Sequence, residues 1–360
     1  MNSKERFLVA LHGGQPDRIP LFDHPFSKKL FKEILGYAPD IYDAPNVIKL
    51  AQKVGYDGVS VPFPYKTTSS QSTKSKEDIT ISQWGTTFQY SGVSWPIGAP
   101  VDYPIKTLED FKNYDPPCIS PADVRIIRKQ VEIALKMGKE RLAILGGVEG
   151  PFTPVWMLTG LNLFSVFLHE NPKIIKSLVK MVTEYSLAWG KAQIEAGIDA
   201  ITISDDWGYD TGLFISPKHF RKYILPSFNQ LVQTFRKMGV PVLMHNDGNL
   251  NQIIDDLVNT GINGYHPIER KARMNIGEIK KKYGNKLCLV GNINSSYTLP
   301  YGSPADVEAE VKECIRIAAP GGGYICASDH SIHDAIPVEN VMKIIETVKK
   351  FGKYPLDSNL

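Results

Sequence analysis

The stretch PVLMHNDG at residues 241–248 decides the fold when it is taken with LNQIIDDLVNTG at residues 250–261. The apolar run of the first segment indicates a short buried strand that ends in His245, Asn246, Asp247 and Gly248. The apolar spacing of the second segment predicts an amphipathic helix. Because side chains alternate along an extended chain, we expect His245 and Asp247 on the same side of the strand.

The same strand-then-helix unit recurs along the chain. The other apolar segments that end in polar or turn residues are RIPLFDH (18–24), DGVSVPFPY (57–65), LAILGGVEG (142–150), AITISDDWG (200–208), INGYHPIE (262–269), LCLVGNIN (287–294) and GYICASDHS (323–331). About eight such units predict an α/β fold, a single (β/α)8 TIM-type barrel domain spanning residues 1–360. A doubly wound sheet is the structural alternative, although no GxGxxG motif follows an early strand.

Two segments depart from this rhythm. The N-terminal sequence MNSKERFLVALHGG predicts a helical segment capped by Ser3 and ended by Gly13-Gly14. Residues 79–104 are rich in β-branched, aromatic, Gly and Pro residues, and they predict a β-hairpin insertion after the second strand.

Composition excludes several classes of protein. The 41 Lys and Arg residues nearly balance 38 Asp and Glu residues, giving a net charge of +3 without a long basic block, so a nucleic-acid partner is not expected. No apolar run reaches the roughly 18–20 residues of a membrane span, and no secretory leader pattern is present. The four cysteines form no CxxC pair, which favours reduced thiols and a cytoplasmic location.

Polar residues end nearly every predicted strand. In a barrel, the C-terminal strand ends surround the active site, so these residues predict an acidic, histidine-containing pocket. For any one of them, a helix cap or a loop residue is an equally good interpretation. They are Asp23, His24, Tyr65, Glu149, Asp205, Asp206, His245, Asp247, His266, Glu269, Asn292, Asn294, Asp329 and His330.

Several motifs resemble the uroporphyrinogen decarboxylase superfamily, whose fold is the (β/α)8 barrel. They are DRIPLF (17–22), GGVEGPFTPVWMLTG (146–160), DDWG (205–208) with SPKHFRKYILPSF (216–228), HNDG (245–248) and APGGGYICASDHSIHDAIPVENV (319–341). True decarboxylases of this superfamily carry an arginine-rich loop near the N-terminus. Here that region reads FDHPFSKKLFKEI, whose lysines lack the bidentate forks suited to a polyanionic tetrapyrrole.

The other branch that the chain resembles contains zinc-dependent methyltransferases that work with corrinoid proteins. In its coenzyme M members, a His-x-Cys pair and a later Cys hold the zinc ion. His245 matches the histidine, Asp247 occupies the first cysteine position, and His330 occupies the second, since Cys326 lies four residues too early. A zinc ion held by nitrogen and oxygen favours an oxygen ligand over a thiolate, which suits O-demethylation.

The resemblance implies a zinc-dependent methyltransferase that moves a methyl group from an aryl methyl ether to the cobalt of a corrinoid (cobalamin) protein. Zn²⁺ would be held by His245, Asp247 and His330, with Glu149, His266 or Glu269 as substitutes for His330. The expected catalytic carboxyls are Glu149, Asp205 and Asp206, which would orient the substrate or protonate the departing oxygen. The expected substrate contacts are Tyr65, Trp207, His266 and Asn294.

Two alternatives remain open from the sequence. One is a metal-free decarboxylase of the same fold, and the other is a non-catalytic barrel that binds a small ligand or a corrinoid protein. The expected partners are a small methylated substrate and a corrinoid protein, without nucleic acid or membrane. The oligomeric state is left open, with a homodimer as one candidate.

Overall fold

The computed structural model describes residues 1–62, 78–90, 95–139 and 141–357. Its helices are α1 (Ser3–Leu11), α2 (Lys28–Leu35), α3 (Ala44–Val54), α4 (Leu108–Asn113), α5 (Pro121–Gly138), α6 (Thr153–Glu170), α7 (Pro172–Glu195), α8 (Pro217–His219), α9 (Leu225–Lys237), α10 (Ile254–Asn259), α11 (Ile276–Tyr283), α12 (Thr298–Tyr301), α13 (Pro304–Ala318) and α14 (Val338–Phe351). A π-helical segment, Phe220–Ile224, joins α8 to α9.

The strands are β1 (Pro25–Phe26), β2 (Gly58–Ser60), β3 (Asp78–Ile81), β4 (Thr87–Tyr90), β5 (Ala99–Asp102), β6 (Ala143–Glu149), β7 (Ala200–Ser204), β8 (Gly208–Tyr209), β9 (Gly212–Leu213), β10 (Val242–His245), β11 (Gly264–His266), β12 (Cys288–Ile293), β13 (Tyr324–Ser328) and β14 (Ile332–His333). Seven of them form one parallel sheet in the order β13-β12-β11-β10-β7-β6-β2. This α/β architecture is consistent with a TIM-type barrel, because parallel neighbours follow in chain order.

A short segment at residues 19–22, here called the closing segment, bridges the two edge strands of this sheet. On one side, Phe22 and Cys326 of β13 are joined by a backbone hydrogen bond of 3.1 Å. On the other side, the backbone N–H of Asp57, just before β2, donates to the carbonyl of Leu21 at 2.8 Å. The segment forms an isolated bridge between Leu21 and Cys326 and not a regular strand, and it lies at the position of the predicted first strand RIPLFDH.

Ion pairs hold the closing segment against the rest of the fold. The Asp57 carboxylate is fully buried and accepts hydrogen bonds from Arg6 of α1, from both terminal nitrogens of Arg18 and from the backbone N–H of Leu21. Asp17 pairs with the same Arg6 through Nε at 2.6 Å. The two arginines therefore compensate a carboxylate that would be costly to bury alone.

Along each strand of the sheet, successive side chains belong alternately to two apolar clusters, one on each face. Ile203 and Met244 belong to the large cluster that includes the outer helices. Leu145 and Leu243 belong to a smaller cluster with Phe7 and other residues of α1. This alternation is the period of two expected for strands that are covered on both faces. Helix α1 therefore fills the concave side of the sheet near the N-terminal strand ends, and the opposite ends are left for a site.

Two local predictions need correction. The helix α1 is capped by Asn2, whose side chain accepts from the Glu5 N–H in a capping box, whereas Ser3 is already helical. Strands β3 and β4 form an antiparallel hairpin as the sequence predicts, and β5 extends it to a three-stranded sheet that the sequence does not predict. None of the helices in the described ranges is both long and apolar enough to cross a membrane.

Candidate metal centre and active site

Strand register brings the predicted site residues to one level of the sheet. His245 is paired with His266 on one side and with Ser204 on the other, and Ser204 is paired with Glu149. Paired residues of neighbouring parallel strands project to the same face. These four residues follow Leu145 and Leu243 on the concave face by even spacings, so they form a layer at the C-terminal mouth.

Three histidine rings are packed together in this layer. The Nδ1 atoms of His245 and His266 are 2.7 Å apart, so one of the two nitrogens donates and the other accepts. The ring of His24, which follows the closing segment, lies 5.3 Å from that of His245 and 5.1 Å from that of His266. Burial, with the neighbouring His245, lowers the pKa of His24 to about 3, and the same causes hold the pKa of His266 well below its usual value. His24 and His266 are therefore neutral imidazoles.

Asp247 lies between two histidines and a second carboxylate. Its Oδ2 is 3.0 Å from His330 Nε2 and 3.8 Å from His245 Nε2, and its backbone N–H donates to Asp206 Oδ1 at 3.1 Å. Burial opposes ionisation of Asp247, but His245 and His330 lower its pKa. Burial and the charge of Asp247 raise the pKa of Asp206. Two adjacent carboxylates beside an imidazole make a site that favours a cation.

His330 reaches Asp247 although β10 and β13 are not neighbours in the sheet. Its Nδ1 accepts from the Ser331 N–H at 2.7 Å, which leaves the proton of the neutral ring on Nε2, facing Asp247. Burial opposes protonation, but the hydrogen bond and charge of Asp247 raise the pKa of His330 to about 9. The Ser331 contact favours the neutral ring instead, and a neutral ring with Nε2–H satisfies both partners. In this arrangement His330 orients Asp247.

A donor set for a metal ion is present in two overlapping groups. Ligand atoms of Asp206, His245 and Asp247 lie within 4.8 Å of one another, as do those of His24, His245 and His266. Asp247 Oδ1 is buried and has no hydrogen-bond partner in the part of the chain that the structure describes. A buried carboxylate oxygen without a partner is unfavourable unless a cation or a donor occupies the space beside it. Nitrogen and carboxylate oxygen are the ligands that zinc accepts, so the residues fit a zinc ion.

The other predicted catalytic carboxyls have different surroundings. Glu149 Oε2 accepts from the indole N–H of Trp84 at 3.1 Å, and Trp84 belongs to the turn between β3 and β4. Burial raises the pKa of Glu149 despite this hydrogen bond. A carboxyl with a raised pKa in a site layer is a candidate proton donor.

Asp205 binds protein donors with both oxygens. It accepts from the Phe152 and Thr153 N–H groups at the start of α6, and from the indole N–H of Trp207 at 2.7 Å. Burial raises the pKa of Asp205 to about 7 even with these bonds. The side chain is 1% exposed, so its position favours a role in holding α6 in place.

The predicted substrate contacts are scattered. His266 lies in the histidine cluster, whereas Trp207 is 1% exposed and packs against Phe220 and Phe228, which favours a core role. The Asn294 side chain accepts from the N–H groups of the two residues that precede α12, as a turn residue does. Tyr65 lies outside the described residues.

Other polar strand ends stabilise the loops around the mouth. Glu269 accepts from the Gly248 N–H at 2.8 Å, which ties the loop after β11 to the loop after β10. His24 is one of the polar residues predicted at strand ends, but the sequence assigns it no role in the site. Its contact with the His245 ring is visible only in the structure, because the two residues lie far apart along the chain.

Comparison with known proteins shows which sequences and structures the chain resembles. A family model described as uroporphyrinogen decarboxylase (URO-D) matches residues 85–351. The methylcobamide:CoM methyltransferase MtbA of Methanosarcina mazei is 27% identical over 365 residues, which cover 97% of this chain and 98% of that protein. The uroporphyrinogen decarboxylase of Coxiella burnetii is 22% identical over 268 residues, which cover 71% of each chain.

A solved structure described as a methyltransferase from Methanosarcina mazei has the same fold. It superposes with a TM-score of 0.76 at 22% identity, covering 98% of this chain and 99% of the other. The resemblance to the methylcobamide branch, predicted from the motifs, is confirmed along nearly the full chain. Since the family model covers most of its residues, the chain belongs to the uroporphyrinogen decarboxylase (URO-D) family.

Proposed function

We propose that this protein is a zinc-dependent methyltransferase that moves a methyl group from a small methylated compound to a corrinoid carried by a separate protein. Similarity to a methylcobamide:CoM methyltransferase over 97% of the chain supports the reaction class. We also propose that residues 1–360 form one (β/α)8 domain in which the closing segment takes the place of the first strand. Its contacts with β13 and with the residue before β2 support this.

The observation that carries the metal assignment is the unpartnered, buried Oδ1 of Asp247 beside His245 and Asp206. We assign His245, Asp247 and Asp206 as zinc ligands, which together neutralise the two charges of the ion. In this proposal His330 is a positioning residue, because its Nε2 donates to Asp247 while its Nδ1 accepts from Ser331. Such support from outside the ligand set commonly fixes the direction of a ligating group.

The substrate class follows from the chemistry of the donor set. Bound at nitrogen and carboxylate oxygen, zinc would supply a Lewis acid for an ether oxygen, whereas thiolate ligands would suit sulfur. We therefore propose an aryl methyl ether as the methyl donor, so that the reaction is an O-demethylation. The buried Glu149 carboxyl, with its raised pKa, can hold the proton that the departing oxygen takes up. Asp205 acts indirectly by holding the start of α6.

The corrinoid partner must approach the mouth formed by the C-terminal strand ends. Helix α1 fills the concave side of the sheet near the opposite ends, where Phe7 and Leu11 are fully buried. A cobalt centre could therefore reach the substrate only from the side that carries His245, Asp247 and His330.

The proposal is tested by assaying methyl transfer to reduced cobalamin from panels of methoxyarenes, methylamines and thiols. We expect transfer from methoxyarenes, loss of transfer after chelation, and recovery with added zinc. Carboxylated compounds are assayed for release of CO₂ in parallel. Chelator-insensitive release of CO₂ without methyl transfer would contradict the proposal and favour a decarboxylase.

A further inference from the structure

The concave faces of β6 and β7 carry small and hydroxyl side chains just below the candidate metal centre. Gly147 is paired with Thr202, and two residues further on Glu149 is paired with Ser204, whose other neighbour is His245. Residues two apart on a strand project to the same face. These four residues of β6 and β7, here called the β6–β7 wall, therefore adjoin His245 inside the mouth.

Gly147 leaves space in this wall that a side chain could fill. A methyl group placed on Gly147 would meet no heavy atom of the described residues within 4 Å. On Gly146, which faces the outer helices, the same group would lie 2.4 Å from Gln193 and 2.6 Å from Ile198. Gly147 has none of the positive φ values that require glycine, so its missing side chain affects mainly the space on the concave face.

The two hydroxyls of the wall have no hydrogen-bond partner among the described residues. Ser204 is exposed although it ends a strand in the middle of the sheet, which means that the space in front of it is open. Its hydroxyl makes no hydrogen bond with the part of the chain that the structure describes. Thr202 is 1% exposed, and its Oγ1 is buried without a hydrogen-bond partner. An unpaired buried hydroxyl is unfavourable, so a bound molecule with a polar substituent would satisfy it.

We propose that the β6–β7 wall is the subsite for the substrate's aromatic ring, and that it selects neutral methyl ethers with a hydroxyl group beside the methoxy group. Gly147 projects no side chain into the mouth, so a flat ring can lie against the wall at this position. The exposed hydroxyl of Ser204 can both donate to and accept from a phenol. None of the four residues of the wall is a cation, so a carboxylated ring meets no opposite charge there. This inference rests on the proposed function, since it places the ring beside the metal centre.

The test measures binding of 2-methoxyphenol and methoxybenzene by titration calorimetry on the zinc-loaded full chain. Ser204→Ala removes one hydroxyl, so we expect 2-methoxyphenol to bind roughly three- to tenfold more weakly, as for one neutral hydrogen bond. Binding of methoxybenzene should not change. Gly147→Ala fills part of the space, so both compounds should bind more weakly. In both variants, the weaker binding of 2-methoxyphenol should be seen with and without cobalamin, because the measurement does not depend on methyl transfer.

The matched controls are Ser177→Ala on the exposed side of α7 and Gly212→Ala, where a methyl group also meets no described atom within 4 Å. Both should bind the two compounds as the unchanged protein does. Equal binding by the unchanged protein, Ser204→Ala and Gly147→Ala would overturn the subsite, even if methyl transfer occurs. Binding that depends on these residues, without any transfer to cobalamin, would instead overturn the proposed reaction and leave the subsite standing.

Discussion

At the scale of residues, the zinc proposal depends on Asp247, which occupies the position of the first zinc-binding cysteine in the coenzyme M members. Sequence reasoning predicts His245, Asp247 and His330 as a ligand set, and the structure brings all three together. The sequence could not reveal that the Ser331 N–H donates to Nδ1 of His330, because that contact depends on the turn after β13. Nor could the sequence show that Asp206 accepts from the Asp247 N–H, since the two residues follow different strands, β7 and β10.

The roles of His245 and His330 can be separated by mutation. His245→Ala should abolish measurable zinc binding, because it removes a ligand. His330→Ala should weaken zinc binding by roughly 10- to 100-fold, as the loss of a supporting hydrogen bond does. The measurement is zinc affinity by competition with a chromophoric chelator, with His219→Ala, on a helix outside the cluster, as the control. Equal losses in the two variants would show that His330 is itself a ligand.

Zinc affinity should rise with pH. Burial and the charge of Asp247 raise the pKa of Asp206, and only the ionised carboxylate binds a metal ion, so a rise in pH favours binding. The dissociation constant for zinc should therefore fall as pH rises through the titration of Asp206. Asp206→Asn should bind zinc more weakly and with a smaller dependence on pH. A dependence that is unchanged in Asp206→Asn would argue against its place among the ligands.

At the scale of elements, the sequence predicts where the strands of the main sheet end, but it does not predict how the segments between them pack. The repeated pattern of an apolar run followed by polar residues predicts β6, β7, β10, β11, β12 and β13 and their C-terminal site. The antiparallel sheet of β3, β4 and β5 is harder to foresee, because its side-chain pattern does not say where it packs. The indole N–H of Trp84, in the turn between β3 and β4, donates a hydrogen bond to Glu149. The Trp84 ring centroid lies 5.0 Å from that of Tyr185 in α7.

Asp205 should matter for helix α6 rather than for the metal. Asp205→Ala removes the acceptor for two N–H groups at the start of α6 and leaves the indole N–H of Trp207 without a partner. We expect the free energy of unfolding to fall by about 2 kcal/mol or more, from urea denaturation, with zinc binding retained. Thr107→Ala, which removes the cap of the exposed helix α4, should lower it by only about 1 kcal/mol. Loss of zinc without loss of stability in Asp205→Ala would contradict this role.

At the scale of the whole molecule, the fold depends on how the ends of the sheet are joined. Asp57 has an exposed side-chain fraction of 0% and binds Arg6 and Arg18, which connect α1, the closing segment and β2. The DRIPLF motif thus has a structural explanation in the ion pairs of its Asp17 and Arg18. The sequence predicts a strand there, but not the charge network, because Asp57 and Arg6 are 51 positions apart.

Asp57→Ala should destabilise the whole chain. Arg6 keeps its ion pair with Asp17, but Arg18 loses the buried carboxylate that it binds with both terminal nitrogens. Removing one partner of a buried ion pair costs about 3–5 kcal/mol. The measurement is urea-induced unfolding followed by circular dichroism, with the surface variant Asp255→Ala as the control. A loss below about 1 kcal/mol would show that the closing segment is held by its backbone contacts alone.

A zinc ion bound at Asp247 and required for methyl transfer can be tested with a single variant. Zinc content and methyl transfer from methoxyarenes to reduced cobalamin are determined together for the unchanged chain, Asp247→Ala and the control Asp255→Ala. We expect stoichiometric zinc and transfer in the unchanged chain and in Asp255→Ala, and the loss of both in Asp247→Ala. Full zinc occupancy with unchanged transfer in Asp247→Ala would contradict this expectation.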